Sequence, residues 1–319
     1  MLSKLNYFLE RMMPIITPTS VVIGVLFADH LKSFSFLVAW IFAFITFTGS
    51  LGSSFQSLKR VVLHPLPTII VLLILHILMP IWAWLLGHLA FQGDPLTMTG
   101  LILAVVIPTG VTSLIWATIY KGNAVLALSI ILIDTLLSPL VVPYSIALLG
   151  GGSVSMDVWP IMKGLFGMIV LPSILGMLLN QVTSGKVKTT LGKPLSPFSK
   201  LGVGLVVMIN SANIAPYLVH VNPKLIFICM MILLISFSGY LLSWFIGTML
   251  HFDKEDIVTI TFTGGMRNIS AGAVVAITYF PPAVAVPVIL GMLFQQSLAS
   301  FYGHFLERHY KKIEMSKVS

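Results

Sequence analysis

Charge is what this sequence has least of. Only 9% of its 319 residues are Asp, Glu, Lys or Arg, where a soluble domain carries roughly a quarter. So few charged groups cannot supply the polar shell that a soluble core of this size needs. Acidic residues are the scarcest, ten against 18 basic ones. There is one cysteine, Cys229, inside an apolar run, so no disulfide framework is available. No HExxH, acidic diphosphate motif, phosphate loop or Cys/His metal spacing occurs, which leaves enzyme chemistry and a bound cofactor without candidate groups. Met1–Arg11 contains no apolar stretch ending in a small-residue cleavage site, so no removable signal peptide is expected and the first apolar run counts as a membrane helix.

What is present is apolar length. Hydrophobic residues make up 57% of the chain and mean hydropathy is +1.01. A span needs ~20 mostly apolar residues. Reading between charged or Gly/Pro-rich interruptions gives ten: Pro14–Leu31, Phe34–Phe55, Pro65–Leu89, Met98–Tyr120, Ala124–Leu149, Val158–Asn180, Phe198–His220, Lys224–Leu250, Ile257–Phe280 and Ala283–Phe305. The connections are short, so one transmembrane domain over 1–319 is expected, with a first half at about 12–150, a second at about 157–306, and a cytoplasmic tail at 307–319. The net charge of +8 does not point to nucleic acid, because the basic residues sit between apolar runs rather than along one face. They are a topology signal. One side collects Lys4, Arg11, Lys59, Arg60, Lys121, Lys186, Lys188, Lys193, Lys200, Lys254, Arg308, Lys311, Lys312 and Lys317; the other has Lys32, Lys224 and Lys163. Both termini are expected on the cytoplasmic side of a cell membrane.

Two spans carry an interruption in mid-helix. The fourth contains Ile107-Pro108-Thr109-Gly110-Val111-Thr112-Ser113, the ninth Phe262-Thr263-Gly264-Gly265-Met266-Arg267-Asn268. Proline deletes a helix hydrogen bond and glycine loosens the backbone. In lipid, such a break is tolerated only where the freed groups face protein or a cavity. Four and nine hold the same place in two groups of five, and an odd number of spans per half makes the halves inverted to each other. That is the pattern of a transporter site near the midplane.

Apart from histidine, the deep ionisable groups are Asp134 in the fifth span and Arg267 in the ninth. Each needs a partner or a water-filled cavity. Three arrangements are open: they neutralise each other; Arg267 awaits an anionic substrate while Asp134 is protonated by desolvation; or Asp134 is a neutral acid bonded to nearby backbone. His76 reads as a packing hydrogen-bonder. Gln295 and Gln296 on the tenth span read as helix glue or ligand contacts. His30, His88, His220 and His251, with Trp82, Trp84, Trp159 and Trp244, fit membrane interfaces.

At these interruptions the chain resembles the bile acid:sodium symporter family of the bile/arsenite/riboflavin transporter superfamily. The likeness runs through Pro108-Thr109-Gly110, Lys121-Gly122-Asn123, Thr135-Leu136-Leu137-Ser138-Pro139, Gly265-Met266-Arg267-Asn268 and Met79-Pro80. It implies an all-α integral membrane fold of ten helices in two inverted five-helix repeats, arranged as core and panel domains, with helices 4 and 9 unwound and crossing beside the substrate cavity. Substrate contacts would fall on Thr109, Gly110, Thr112, Arg267, Asn268 and Gln296. Ion coupling would fall on Ser113, Asp134, Thr263, Gly264 and Met266. Yet the positions where the family carries sodium ligands read Ser113, Leu114, Ala127, Ile131 and Thr263 for the first site, and Arg267 and Leu75 where the second has glutamines. A guanidinium where sodium would sit is electrostatically incompatible with that ion.

The expectation is a secondary transporter of a small organic anion, bile acid-like or a short-chain carboxylate, working by alternating access. The coupling ion is sodium, a proton or none. A non-transporting membrane sensor or structural protein would have a dry, packed crossing. A channel would need a continuous pore with polar rings.

Overall fold

The computed structural model describes residues 2–53, 65–150, 157–219 and 222–318, and among them every regular element is helical. Lys59, Arg60, Phe55 and His220 lie outside the described residues. The helices of eight residues or more are α1 (Leu2–Leu26), α2 (Ala28–Ser50), α3 (Pro65–Ala90), α4 (Pro95–Val106), α5 (Thr112–Ile119), α6 (Ala124–Leu149), α7 (Val158–Val182), α8 (Lys188–Asn213), α9 (Pro223–Met249), α10 (Lys254–Gly265), α11 (Ile269–Tyr279) and α12 (Pro282–Val318). Seven of them, α2, α3, α6, α7, α8, α9 and α12, are long and apolar enough to cross a membrane. The predicted fourth and ninth spans are each two half-helices, α4 with α5 and α10 with α11. Elsewhere the boundaries shift: α1 begins at Leu2 rather than Pro14, and α12 continues through the expected tail to Val318.

Local chemistry explains where helices begin. Asp94, Asn123, Asp157, Asn222 and Asn268 each accept a hydrogen bond from a backbone N–H in the first turn of the following helix, satisfying a donor that the helix cannot. Proline shapes the interiors. Three π turns, Ile74–Leu78, Phe166–Val170 and Lys188–Gly192, each end two residues before a proline: Pro80, Pro172 and Pro194. A proline has no N–H for the carbonyl four residues back and its ring collides with that carbonyl. Widening the preceding turn relieves the conflict.

Helices α1, α2, α7 and α8 pack chiefly on one another, and α3–α6 with α9–α12 form a second group; α7 against α6 and α8 against α11 join them. Outward faces are apolar, with Trp40, Leu148 and Val182 almost fully exposed, which suits a hydrocarbon surround. Inside the second group lies the buried layer that holds both helix interruptions.

Candidate functional site

The α4 helix ends where Pro108 follows Ile107, whose backbone is extended; the residue before a proline is driven out of the helical region. Helix α10 ends at Gly265, and Met266 is likewise extended. The two non-helical stretches meet. The Asn268 N–H donates to the Pro108 carbonyl at 2.7 Å. The Thr109 hydroxyl bridges to the carbonyls of Thr263 and Met266 at 2.9 and 3.1 Å. A Cβ on Gly110 would stand 3.0 Å from the Arg267 carbonyl, one on Gly264 would strike the Ser243 hydroxyl, and one on Gly265 the Tyr240 ring. Gly264 and Gly265 leave no space for a side chain as things stand, and Gly110 only a tight one.

Beyond the first crossing residues, Lys121-Gly122-Asn123 fixes the lower halves together. Lys121 adopts a left-handed backbone (φ 60°). Asn123 donates from its N–H to the Glu255 carbonyl (3.2 Å) and from its side-chain amide to Asp256 (3.0 Å), while capping α6. The start of α10 is thus tied to the α5–α6 turn.

The two deep charges do not form a direct ion pair. Asp134 is fully buried. One carboxylate oxygen faces His76 Nε2 at 2.6 Å and the other accepts the Thr109 N–H at 2.6 Å. Arg267, 5% exposed, donates from Nε to the Val105 carbonyl (2.8 Å) and from Nη1 to those of Gly264 (2.8 Å) and Met266 (3.1 Å). Each charge is held by groups that the interruptions release, N–H for the anion and C=O for the cation. No direct ion pair joins them: within hydrogen-bond reach of Arg267 lie freed carbonyls, and within reach of Asp134 lie the Thr109 N–H and His76.

The remaining expected residues fall as follows. Ser113 donates to the Gly110 carbonyl and Thr263 to that of Thr259. Asn268 caps α11 through its side-chain oxygen, and Thr112 opens α5, half-buried. Gln296 accepts from the Trp116 indole at 2.9 Å. It is Gln295 that reaches the second interruption, accepting the Arg267 N–H at 3.0 Å. Two residues of this site, His76 and Gln295, carry larger roles than their types suggested. The signal for His76 was its place one turn before Met79-Pro80, where the helix must loosen. Leu114, Ala127 and Ile131 bring no side-chain oxygen, and Ala127 packs in the apolar cluster with Phe262 and Met266. Leu75 is fully buried carbon.

Beside Arg267 a cavity of about 20 Å³ opens, lined by Met79, Val105, Tyr240, Gly265 and Gln295 among others; it has room for a water molecule. An organic anion does not fit in this conformation, so reaching the guanidinium requires movement of the surrounding helices.

Comparison with known proteins places the chain in a transporter family. Residues 39–221 match the Sodium Bile acid symporter family. The chain is 56% identical over 305 residues to the protein YbaS of Bacillus subtilis (strain 168), covering 96% of this chain and all of that one. It is 26% identical over 290 residues to YocS of the same organism, described as a sodium-dependent transporter, with 88% of each chain covered. A rice (Oryza sativa subsp. japonica) chloroplast protein described as a probable sodium/metabolite cotransporter, BASS1, is 28% identical over 189 residues, 59% of this chain and 46% of that one. With its apolar helices, the chain is a multi-pass membrane transporter, and it belongs to the sodium bile acid symporter family.

Proposed function

We propose that this protein is a secondary carrier of a small organic anion, of the carboxylate type, operating by alternating access at the crossing of its two interrupted helices. One observation carries the reading: a permanently charged guanidinium lies buried between the two interruptions. The N-termini of α5 and α11 add the positive ends of their dipoles there. An anion is the species such a field attracts. Thr109, Gly110, Thr112, Asn268 and Gln296 would contribute to its pocket once the helices part, within two inverted repeats at about 12–150 and 157–306. Both termini would face the cytoplasm of the cell membrane.

Uptake into proteoliposomes of radiolabelled pyruvate and taurocholate, a small and a large carboxylate-class probe, tests this. Saturable uptake of one of them, abolished by unlabelled competitor, is the expected result. No uptake of either under any imposed gradient would count against the reading.

A second reading concerns the coupling ion and is favoured by the 2.6 Å contact between His76 and Asp134. A histidine–carboxylate pair at this depth suits a proton better than a metal ion. On this reading an inward proton gradient accelerates uptake, and the His76→Gln variant loses that acceleration. Acceleration surviving in that variant would eliminate it.

A further inference from the structure

We propose that the Arg267 guanidinium is a tethered cation that stands permanently where a coupling sodium would bind, so that this carrier runs without sodium. The proposal rests on the reading of the crossing as the transport site. Names in the family imply sodium, and the residues present do not fit it.

A hard cation needs a cage of oxygen atoms, typically including carboxylates and backbone carbonyls. The side chains around the first interruption cannot build one. Leu114, Ala127 and Ile131 present only carbon, and the hydroxyls of Ser113 and Thr263 are turned onto carbonyls of their own turns. The acids of α10, Glu255 and Asp256, sit in its first turn, at the far end from the interruption. The one buried carboxylate among the described residues, Asp134, has both oxygens engaged, by His76 and by the Thr109 N–H.

Carbonyls at both interruptions are taken as well. Val105, Gly264 and Met266 all accept from Arg267. These include main-chain groups of both α4 and α10, so the guanidinium ties the two broken helices together as a bound cation would. It differs in one respect that matters for transport. A sodium ion is loaded on one side and released on the other, whereas this charge is covalently attached and always protonated. The electrostatic attraction for the anion is then built in, and no sodium gradient contributes to the work.

The test compares sodium chloride with choline chloride at equal ionic strength, on purified protein and on proteoliposomes. Without any substrate, the thermal unfolding midpoint of the wild-type protein should be the same in both salts, because an ion that bound the folded state would raise it. Pyruvate or taurocholate uptake should proceed at equal rates in both media. Arg267→Gln should abolish uptake in either salt, and Arg267→Lys should restore part of it, still without sodium. A higher wild-type midpoint in sodium, uptake that collapses in choline, or wild-type uptake by Arg267→Gln would each overturn the proposal. Failure of the transport reading looks different: neither probe enters in either salt, and the midpoint comparison still decides about sodium.

Discussion

The two helix interruptions solve one problem with opposite charges. At the first, Pro108 ends α4 and the freed, buried Thr109 N–H is taken by a carboxylate from a neighbouring helix, Asp134. At the second, α10 ends without a proline, and its orphaned carbonyls are taken by a guanidinium from its own chain end, Arg267. Helix N-termini offer donors and C-termini acceptors, so an anion belongs at one kind of end and a cation at the other. The lesson is that a charge deep in an apolar helix bundle can be stabilised by backbone released through unwinding. An opposite charge is not the only remedy.

Substitutions that remove one charge at a time break this comparison. The largest effect is expected from Arg267→Ala, which strands the Val105 and Gly264 carbonyls and removes one of the ties between α4 and α10. At ~1–3 kcal/mol for each buried group left unpaired, a loss of roughly 2–6 kcal/mol follows, read as the unfolding midpoint in detergent. Asp134→Ala comes next, at about 2–3 kcal/mol, since it deprives Thr109 and His76 of a charged acceptor. Asp134→Asn should cost less, because an amide oxygen still serves the Thr109 N–H. Equal losses for the two Asp134 variants would mean that the charge, rather than the acceptor, is what the first interruption requires.

Gln295→Ala sharpens the second half of the comparison. It removes the acceptor for the Arg267 N–H and should cost about 1 kcal/mol, far below the loss for Arg267→Ala. The smallest effect lies away from both interruptions, at Asp94, which caps α4 and faces Lys224 at 2.8 Å. Burial pushes this carboxyl up, but hydrogen bonds from Lys224 and Thr97 outweigh it and hold the carboxyl below its usual range. A depressed folded-state value means that the stabilisation is present at neutral pH and fades as pH falls through that value. Asp94→Asn should therefore lower stability at pH 7 by no more than ~1 kcal/mol, read from the midpoint, and the two curves should converge in acid.

Both interruptions were legible in the sequence because their causes are local. Pro108, Gly264 and Gly265 act on the main chain next to them, and a motif read along the chain captures that. The partners of Asp134 and Arg267 were not legible. Electrostatics alone pairs two opposite charges, and only the folded backbone reveals that Thr109 and Val105 lie within hydrogen-bond reach. Gln295 and Gln296 illustrate the same limit: adjacent and identical in type, they differ by a helical rotation of about 100°, which sends one to Arg267 and the other to Trp116. The likeness to a transporter family anticipated that the two interruptions meet, as the Asn268–Pro108 and Thr109–Thr263 hydrogen bonds show.

The π turn at Ile74–Leu78 has a consequence for counting. Met79 bonds back five residues to Ile74, so the turn takes in one residue more than an α turn does. Everything before it is rotated by about 100° relative to an undisturbed helix. Matching positions by their distance from Met79-Pro80 selects Leu75, whereas the side chain that reaches the fifth span belongs to His76. A turn widened by one residue ahead of a proline thus changes which chemistry the helix presents to its neighbours.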